Sequence, residues 1–134
     1  MTNPMSEYSF KLSELFQAAV LIYRQGGDID LFRADYGPCE LLTPINRIQD
    51  STYAPNFAYR LKVIDSIWHV ATDPFRTFRE RVGVTREAFA FRYAISLRTL
   101  ETWEQRDSCP PHIRYMLAEL LGFLEFEPDE GLSR

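Results

Sequence analysis

The sequence predicts an all-α protein. Apolar residues recur at spacings of three and four through nearly the whole chain, as on the buried face of a helix. Helix-starting and helix-ending residues separate these segments, and no segment shows the convincing two-residue alternation of a strand. The chain has 134 residues, of which 46% are hydrophobic and 14% aromatic, so it has enough apolar side chains to form a core.

The first two helices are predicted from their ends. Ser9 is expected to cap a first helix, whose apolar residues then follow the spacing of one helical face. Gly26-Gly27 is expected to end that helix with a left-handed residue, which glycine adopts without strain. A short second helix is predicted over about residues 30–36, before a Gly-Pro turn.

Two further helix starts are predicted where a polar residue is followed by proline. Thr43-Pro44 is expected to open a short helix that runs to about residue 49, because proline is favoured at the first helical position. A long helix is predicted over about residues 56–71. Asp73-Pro74 repeats the cap-and-proline pattern and divides the chain into a helical N-terminal region, 1–73, and a second domain.

Residues 74–124 are predicted to form that second domain from four short helices. Thr85 and Ser96 are expected to cap the second and third of them, with a short turn between, which is the helix-turn-helix arrangement. The first three helices are expected over about 74–82, 86–93 and 97–105, and the fourth is expected after Pro110-Pro111. The buried stripe of the fourth is expected to consist of Ile113, Met116, Leu117, Leu120, Leu121 and Leu124.

Charge is distributed unevenly along the chain. The net charge of the whole is −4, which argues against indiscriminate coating of nucleic acid. Residues 74–124 nevertheless carry eight arginines, no lysine and six acids, whereas residues 1–73 and the tail 125–134 are each acidic. An all-arginine positive segment indicates either localised recognition of an anion or a set of solvated helix faces. The acidic tail is expected to be flexible.

The third helix of the second domain has two chemically different faces. At about 100° per residue, Leu100 and Trp103 lie together on one side. The opposite side carries Leu97, Arg98, Glu101 and Thr102. Arginine can pair with guanine, glutamate with the amine of cytosine, and apolar groups with the methyl of thymine, so this side fits base edges in a DNA major groove. An ordinary amphipathic surface helix has the same spacing.

Sequence around these two helices resembles a known family. The segments GVTREAFA at 83–90 and ISLRTLETWEQ at 95–105 combine two caps, the core positions and a Trp-Glu pair in one register. They resemble the XRE/Cro-type helix-turn-helix family of small bacterial and phage regulators and antitoxin-like proteins. The resemblance covers about residues 75–121. It implies a four-helix, lambda-repressor-like domain that binds specific double-stranded DNA.

The resemblance also implies which side chains contact DNA, and the expected roles agree with general helix-turn-helix geometry. Phosphate contacts are expected from Arg86, Arg92 and Arg106. Contacts near the sugar-phosphate wall are expected from Ser96 and Thr99. Base contacts are expected from Leu97, Arg98, Glu101 and Thr102. Of the remaining residues, Trp103 is expected in the core and Glu104 in an ion pair with a nearby arginine.

Three positions depart from the family pattern. Ala94 stands at the turn, where the family usually has glycine, and a left-handed backbone there would cost an alanine about 1 kcal/mol. Arg106 stands where the family often has the glycine that ends the helix. Phe91 stands where the family is usually polar. An exposed phenylalanine there is either incidental or covered, and we expect the N-terminal helices or a partner to cover it.

The function expected from these features is a transcriptional repressor that acts as a dimer on a palindromic DNA operator. Residues 1–73 are then expected to form a dimerisation or effector-binding surface. In the alternative, that acidic half binds a protein partner such as a toxin or a host protein. The chain would then be an antitoxin or a protein-binding inhibitor, with the helix-turn-helix used for autoregulation or as a scaffold.

Enzymatic and metal-binding functions have no sequence support. His69 and His112 lack a nearby nucleophile motif, and glycine-rich phosphate loops and Cys-x-x-Cys are missing. Cys39 and Cys109 cannot form a zinc site alone and are expected to be reduced thiols. No catalysis and no cofactor are expected. Neither a targeting segment nor a membrane span is visible, so the protein is expected to be cytoplasmic.

Overall fold

The computed structural model describes residues 9–37, 40–43, 51–53 and 57–125. Within these ranges the chain forms seven helices, which confirms the predicted helical class, and three short strands. In chain order the elements are β1 (Ser9–Lys11), α1 (Leu12–Arg24), α2 (Ile29–Tyr36), β2 (Glu40–Thr43), β3 (Ser51–Tyr53), α3 (Phe57–Thr72), α4 (Phe75–Glu80), α5 (Arg86–Arg92), α6 (Leu97–Arg106) and α7 (Pro111–Leu120).

The three strands form one small sheet in the order β1-β2-β3. β1 runs parallel to β2, and β2 runs antiparallel to β3, where Leu41 is opposite Tyr53. The sequence pattern does not predict these strands, because three or four residues are too few to show alternation. Thr43 ends β2. The rest of the short helix predicted from Thr43-Pro44 lies outside the described residues.

The start of α1 differs from its prediction, whereas its end agrees. Ser9 lies in β1 and does not cap the helix, because the pairing of β1 with β2 holds it in an extended strand. Lys11 is the N-cap residue instead, and its backbone N–H donates to Glu14 Oε1 at 2.9 Å. Beyond the other end, Gly26 has a φ of +85°, the left-handed conformation predicted for it.

An aromatic cluster joins the first three helices. The buried Phe32 of α2 lies against Trp68 of α3, with ring centroids 5.6 Å apart. Tyr23 of α1 packs edge-on against the same indole at 6.2 Å. Arg33 adds a bidentate pair, in which Nε and Nη2 donate to the two carboxylate oxygens of Asp65 at 2.7 and 2.8 Å. α2 is therefore fixed on α3 by both apolar and charged contacts.

A buried arginine on α7 connects the C-terminal helices to the end of α3. Arg114 Nε donates to the carbonyl of Val70 at 2.6 Å, and Nη2 donates to the carbonyl of Asp73. Burial lowers the pKa of Arg114, and Asp107, whose Oδ1 lies 3.8 Å from Nη1, opposes that shift. A cation at a helix C-terminus is favoured by the exposed carbonyls there. The buried apolar side chains of both halves form one cluster.

The link between α3 and α4 falls at Asp73-Pro74, the predicted domain boundary. Asp73 does not cap α4, however, because Pro74 occupies the N-cap position. The backbone N–H of Phe75 is satisfied from a distant part of the chain, since it donates to Asp107 Oδ1 at 3.0 Å. Asp107, just beyond the end of α6, therefore anchors the start of α4.

The buried face of α7 also differs from its prediction. Met116 and Leu120 are 56% and 70% exposed, and the buried residues of α7 are Arg114, Leu117 and Ala118. The helix is turned so that its arginine reaches the end of α3 while the small Ala118 allows close packing. The acidic tail predicted at 125–134 lies outside the described residues apart from Glu125.

Candidate nucleic-acid interface

α5 and α6 are two short helices that lie where the sequence predicts the pair of a helix-turn-helix, and both predicted caps are present. The side chain of Thr85 accepts the N–H of Ala88 at 3.1 Å, and that of Ser96 accepts the N–H of Thr99 at 3.1 Å. Each cap satisfies a backbone N–H that has no partner inside the helix. The caps therefore fix where both helices begin.

The backbone of the turn between the helices is left-handed, which is the condition under which an alanine at this position is strained. Ala94 has a φ of +55°. The N–H of the next residue, Ile95, donates to the carbonyl of Ala90 at 2.9 Å, which closes the turn. Ala94 therefore carries the backbone strain of a left-handed alanine, which a glycine at this position would avoid.

The end of α6 departs by one residue from the family pattern. Arg106 is still helical, and Asp107 takes the left-handed conformation with a φ of +49°. Aspartate tolerates this conformation better than most residues. Its carboxylate also serves the start of α4, a role that no sequence signal predicts.

Core contacts fix the rotation of α6. Leu100 is fully buried, and the ring centroid of Trp103 lies 5.5 Å from that of the buried Phe75 on α4. Phe89 is fully buried on α5 and also contacts Phe75, with centroids 6.4 Å apart. The prediction that Leu100 and Trp103 form the inward side of α6 is confirmed.

The opposite side of α6 carries the four residues predicted to contact bases. Leu97 and Arg98 are exposed, and Glu101 and Thr102 are half-buried. Thr102 Oγ1 donates to the carbonyl of Arg98 at 3.0 Å, so its hydroxyl oxygen can still accept and its methyl group can still make apolar contacts. Among the residues that the structure describes, the guanidinium of Arg98 has no hydrogen-bond or ion-pair partner.

Ser96 and Thr99 lie together at the start of α6, and both are exposed. Ser96 Oγ accepts the N–H of Thr99 and donates to Thr99 Oγ1 at 2.7 Å. The hydroxyl hydrogen of Thr99 is therefore available to a further acceptor. Its position at a helix N-terminus suits an anionic oxygen.

Arg86 is held in a buried charged network centred on Glu104. Arg86 Nε donates to Glu104 Oε2 at 2.8 Å, and its Nη1 is 3.9 Å from Glu101 Oε1. Arg79 of α4 donates from Nε and Nη2 to Glu104 Oε1 at 3.1 and 2.8 Å. The side chain of Glu104 is only 4% exposed. The predicted pairing of Glu104 with an arginine is thus confirmed, and the structure identifies two arginines.

The three predicted phosphate contacts lie in different surroundings. Arg86 is half-buried beside α6, Arg106 is exposed at the end of α6, and Arg92 is exposed at the end of α5. The guanidinium of Arg92 lies 5.8 Å from the ring centroid of Tyr93. Of these three arginines, Arg86 alone is recorded near acidic residues of α6, namely Glu104 and Glu101, in the part of the chain that the structure describes.

Phe91 is 91% exposed. The described N-terminal helices therefore do not cover it. The expectation that they would is wrong for this part of the chain. An aromatic side chain so fully in water adds nothing to the fold by burial.

Within the described ranges, no group of three or more histidine, cysteine, aspartate or glutamate residues could hold a metal ion. The helices of those same ranges are all too short or too polar to cross a lipid bilayer. Comparisons with protein-family models, with curated proteins and with solved structures give no match.

Proposed function

We propose that this chain is a sequence-specific, double-stranded-DNA-binding transcriptional regulator, a cytoplasmic repressor that acts as a dimer through α6. The observation that supports it best is the contrast between the two sides of α6. One side is locked into the core by Leu100 and Trp103. The other presents Leu97 and Arg98 to solvent, with Glu101 and Thr102 beside them.

The exposed side has the chemistry needed to distinguish base pairs in a major groove. Arg98 can donate two hydrogen bonds to guanine, and Glu101 can accept from the amine of cytosine. Leu97 and the methyl group of Thr102 suit the methyl group of thymine. A rigid helix supports this use, because side chains that read bases must hold their geometry within about 0.5 Å.

Phosphate contacts are assigned to the residues around both helix starts. Arg86 keeps N–H groups beyond the one bonded to Glu104 and lies at the first position of α5, where the helix dipole favours an anion. Ser96 and Thr99 offer hydroxyl groups at the start of α6, and Arg106 can reach a flanking phosphate. Arg92, which is exposed at the far end of α5, is a further candidate for a phosphate contact.

Selection of bound sequences from random double-stranded oligonucleotides, followed by affinity measurements against salt concentration, tests the proposal. We expect a palindrome whose half-sites lie about one helical turn, roughly 34 Å, apart. The logarithm of affinity is expected to fall linearly with the logarithm of salt concentration. Weak binding without an enriched motif at moderate salt would refute DNA recognition and favour a protein partner for residues 1–73.

Replacement of Arg98 by alanine is the matching mutational test. The Arg98→Ala variant is expected to lose about 1–3 kcal/mol of binding free energy on the selected site and to accept other bases at one position. Arg86→Ala is expected to weaken all sequences similarly and to reduce the salt slope. Arg24→Ala, which removes the same charge from an exposed position on α1, is the control and should leave base preference unchanged.

A further inference from the structure

Glu101 places a negative charge on the side of α6 that is proposed to meet DNA. Viewed down the helix axis at about 100° per residue, it lies between Leu97 and Arg98. Its side chain is 43% exposed. A carboxylate in this place opposes binding to DNA of any sequence, because the duplex carries one phosphate charge about every 1.7 Å along its axis. Glu101 therefore does not serve affinity for the DNA backbone.

The charge of Glu101 is only partly balanced within the described chain. Nη1 of Arg86 lies 3.9 Å from Glu101 Oε1, which is too long for a hydrogen bond. Arg86 also donates from Nε to Glu104 Oε2 at 2.8 Å, so its guanidinium is shared between two carboxylates. The described residues donate no hydrogen bond to the side chain of Glu101. Both of its oxygens can therefore accept from another molecule.

Contact with DNA reduces this balance further. In the proposed function Arg86 also donates to a phosphate, and its charge is then shared among three anionic groups. Glu101 faces the bases with its charge little compensated. A carboxylate that loses water without gaining a donor is strongly unfavourable. The binding free energy is therefore sensitive to whether the base opposite Glu101 offers a donor.

The four bases differ in what they offer a carboxylate, which accepts hydrogen bonds and cannot donate them. In the major groove cytosine offers an amine donor. Adenine offers an amine donor beside an acceptor nitrogen, whereas guanine and thymine offer acceptor atoms. An acceptor placed against Glu101 repels it and leaves it without a partner. Such a contact penalises the wrong sequence, which is one of the two ways to obtain specificity.

We propose that Glu101 is a specificity-determining residue that acts by exclusion: it rejects DNA with thymine or guanine opposite it, and it lowers the affinity for unrelated DNA. The inference rests on the proposed function and deepens it, because it gives two side chains of α6 opposite roles. Arg98 adds affinity, and Glu101 removes affinity from wrong sites. The DNA that this surface accepts carries an amine-bearing base opposite Glu101, cytosine before adenine.

Affinities of the full chain for a set of duplexes test the exclusion. The set contains the duplex selected by the wild type, its single-base-pair replacements at every position, and a duplex of random sequence, measured by fluorescence anisotropy at low salt. For the wild type we expect one position that prefers cytosine about tenfold over thymine and guanine, with adenine between. Glu101→Gln removes the charge and adds an amide donor. We expect it to reduce that preference to within about threefold and to leave the other positions unchanged.

The sign of the change on the random duplex separates exclusion from a structural role. Because Glu101→Gln removes a charge that repels phosphates, the variant is expected to bind this duplex about threefold more tightly, and the gain should fade as salt rises. If Glu101 served only to hold Arg86 in place, its loss would weaken binding to every duplex. Glu119→Gln removes the same charge from an exposed position on α7. This matched control should change no base preference and should increase random-duplex affinity less than Glu101→Gln.

Three results would overturn the inference: base preferences that Glu101→Gln leaves unchanged, weaker binding of this variant to the random duplex, or the same changes in Glu119→Gln. A wild type that binds no duplex selectively refutes DNA recognition and the inference with it. A selective wild type whose base preferences do not depend on Glu101 refutes the inference alone and leaves the proposed function standing.

Discussion

Glutamine in place of Glu104 removes one negative charge from the network that holds α6 against α4 and α5. Glu104 accepts two hydrogen bonds from Arg79 and one from Arg86. The side chains of Glu104 and Arg79 are only 4% and 10% exposed, so water has little access to solvate the guanidinium of Arg79 once the negative charge is gone. The Glu104→Gln variant keeps an acceptor oxygen but leaves the guanidinium of Arg79 buried without its counter-ion.

The expected loss of unfolding free energy follows from this burial. Removal of one partner from a buried ion pair costs about 3–5 kcal/mol, whereas an exposed pair contributes about 0–1 kcal/mol. Because glutamine keeps one hydrogen-bond acceptor, we expect the lower end, about 3 kcal/mol. Arg86 adds less to the loss than Arg79, because its side chain is 37% exposed and partly solvated.

Urea unfolding followed by circular dichroism measures this loss. With a slope of about 2 kcal/mol/M, the midpoint is expected to fall by about 1.5 M. Glu101→Gln is the matched control, since its carboxylate is 3.9 Å from Arg86 and 43% exposed, and it is expected to change stability by less than about 0.5 kcal/mol. Equal effects of the two variants would refute the claim that the Glu104 network holds α6 in place.

Two further predictions concern the turn and the thiol. Ala94→Gly is expected to stabilise the chain by about 0.5–1 kcal/mol in the same urea titration, because the backbone at Ala94 is left-handed. The control is Ala88→Gly within α5, which should destabilise the chain. Destabilisation by Ala94→Gly would contradict this explanation. Burial raises the pKa of Cys109 to about 12, so in a Cys39→Ser chain iodoacetamide should modify folded Cys109 slowly at pH 8 and unfolded Cys109 quickly. Since the unfolded thiol ionises near its ordinary pKa and the folded one near 12, the contribution of Cys109 to stability should fall as pH rises between these values, and Cys109→Ala should remove that part of the pH dependence.

Local sequence signals predicted much of the candidate site. Thr85 and Ser96 act on backbone groups only three residues away, so their capping role can be identified from the sequence alone. The two sides of α6 follow from helical spacing. In each case the physical cause lies within about one helical turn of the residue.

Errors arose where a distant contact decided the outcome. Ser9 is not a cap because β2, some thirty residues later, pairs with its strand. Asp73 is not the cap of α4, whose N-cap residue is Pro74, and the N–H of Phe75 is instead accepted by Asp107 from 32 residues away. The orientation of α7 depends on the bonds from Arg114 to the end of α3, and no local pattern indicates a buried arginine there.

The sequence by itself determined the helical class, the start of α5 and α6, and the inward side of α6, because periodicity and capping depend on neighbouring residues. Only the tertiary structure decided which arginines bind Glu104, how α7 is turned, and that the described helices leave Phe91 in solvent. Those outcomes depend on which surfaces meet when the helices pack. A one-dimensional pattern gives the faces of each helix, and packing chooses among the ways in which those faces can be buried.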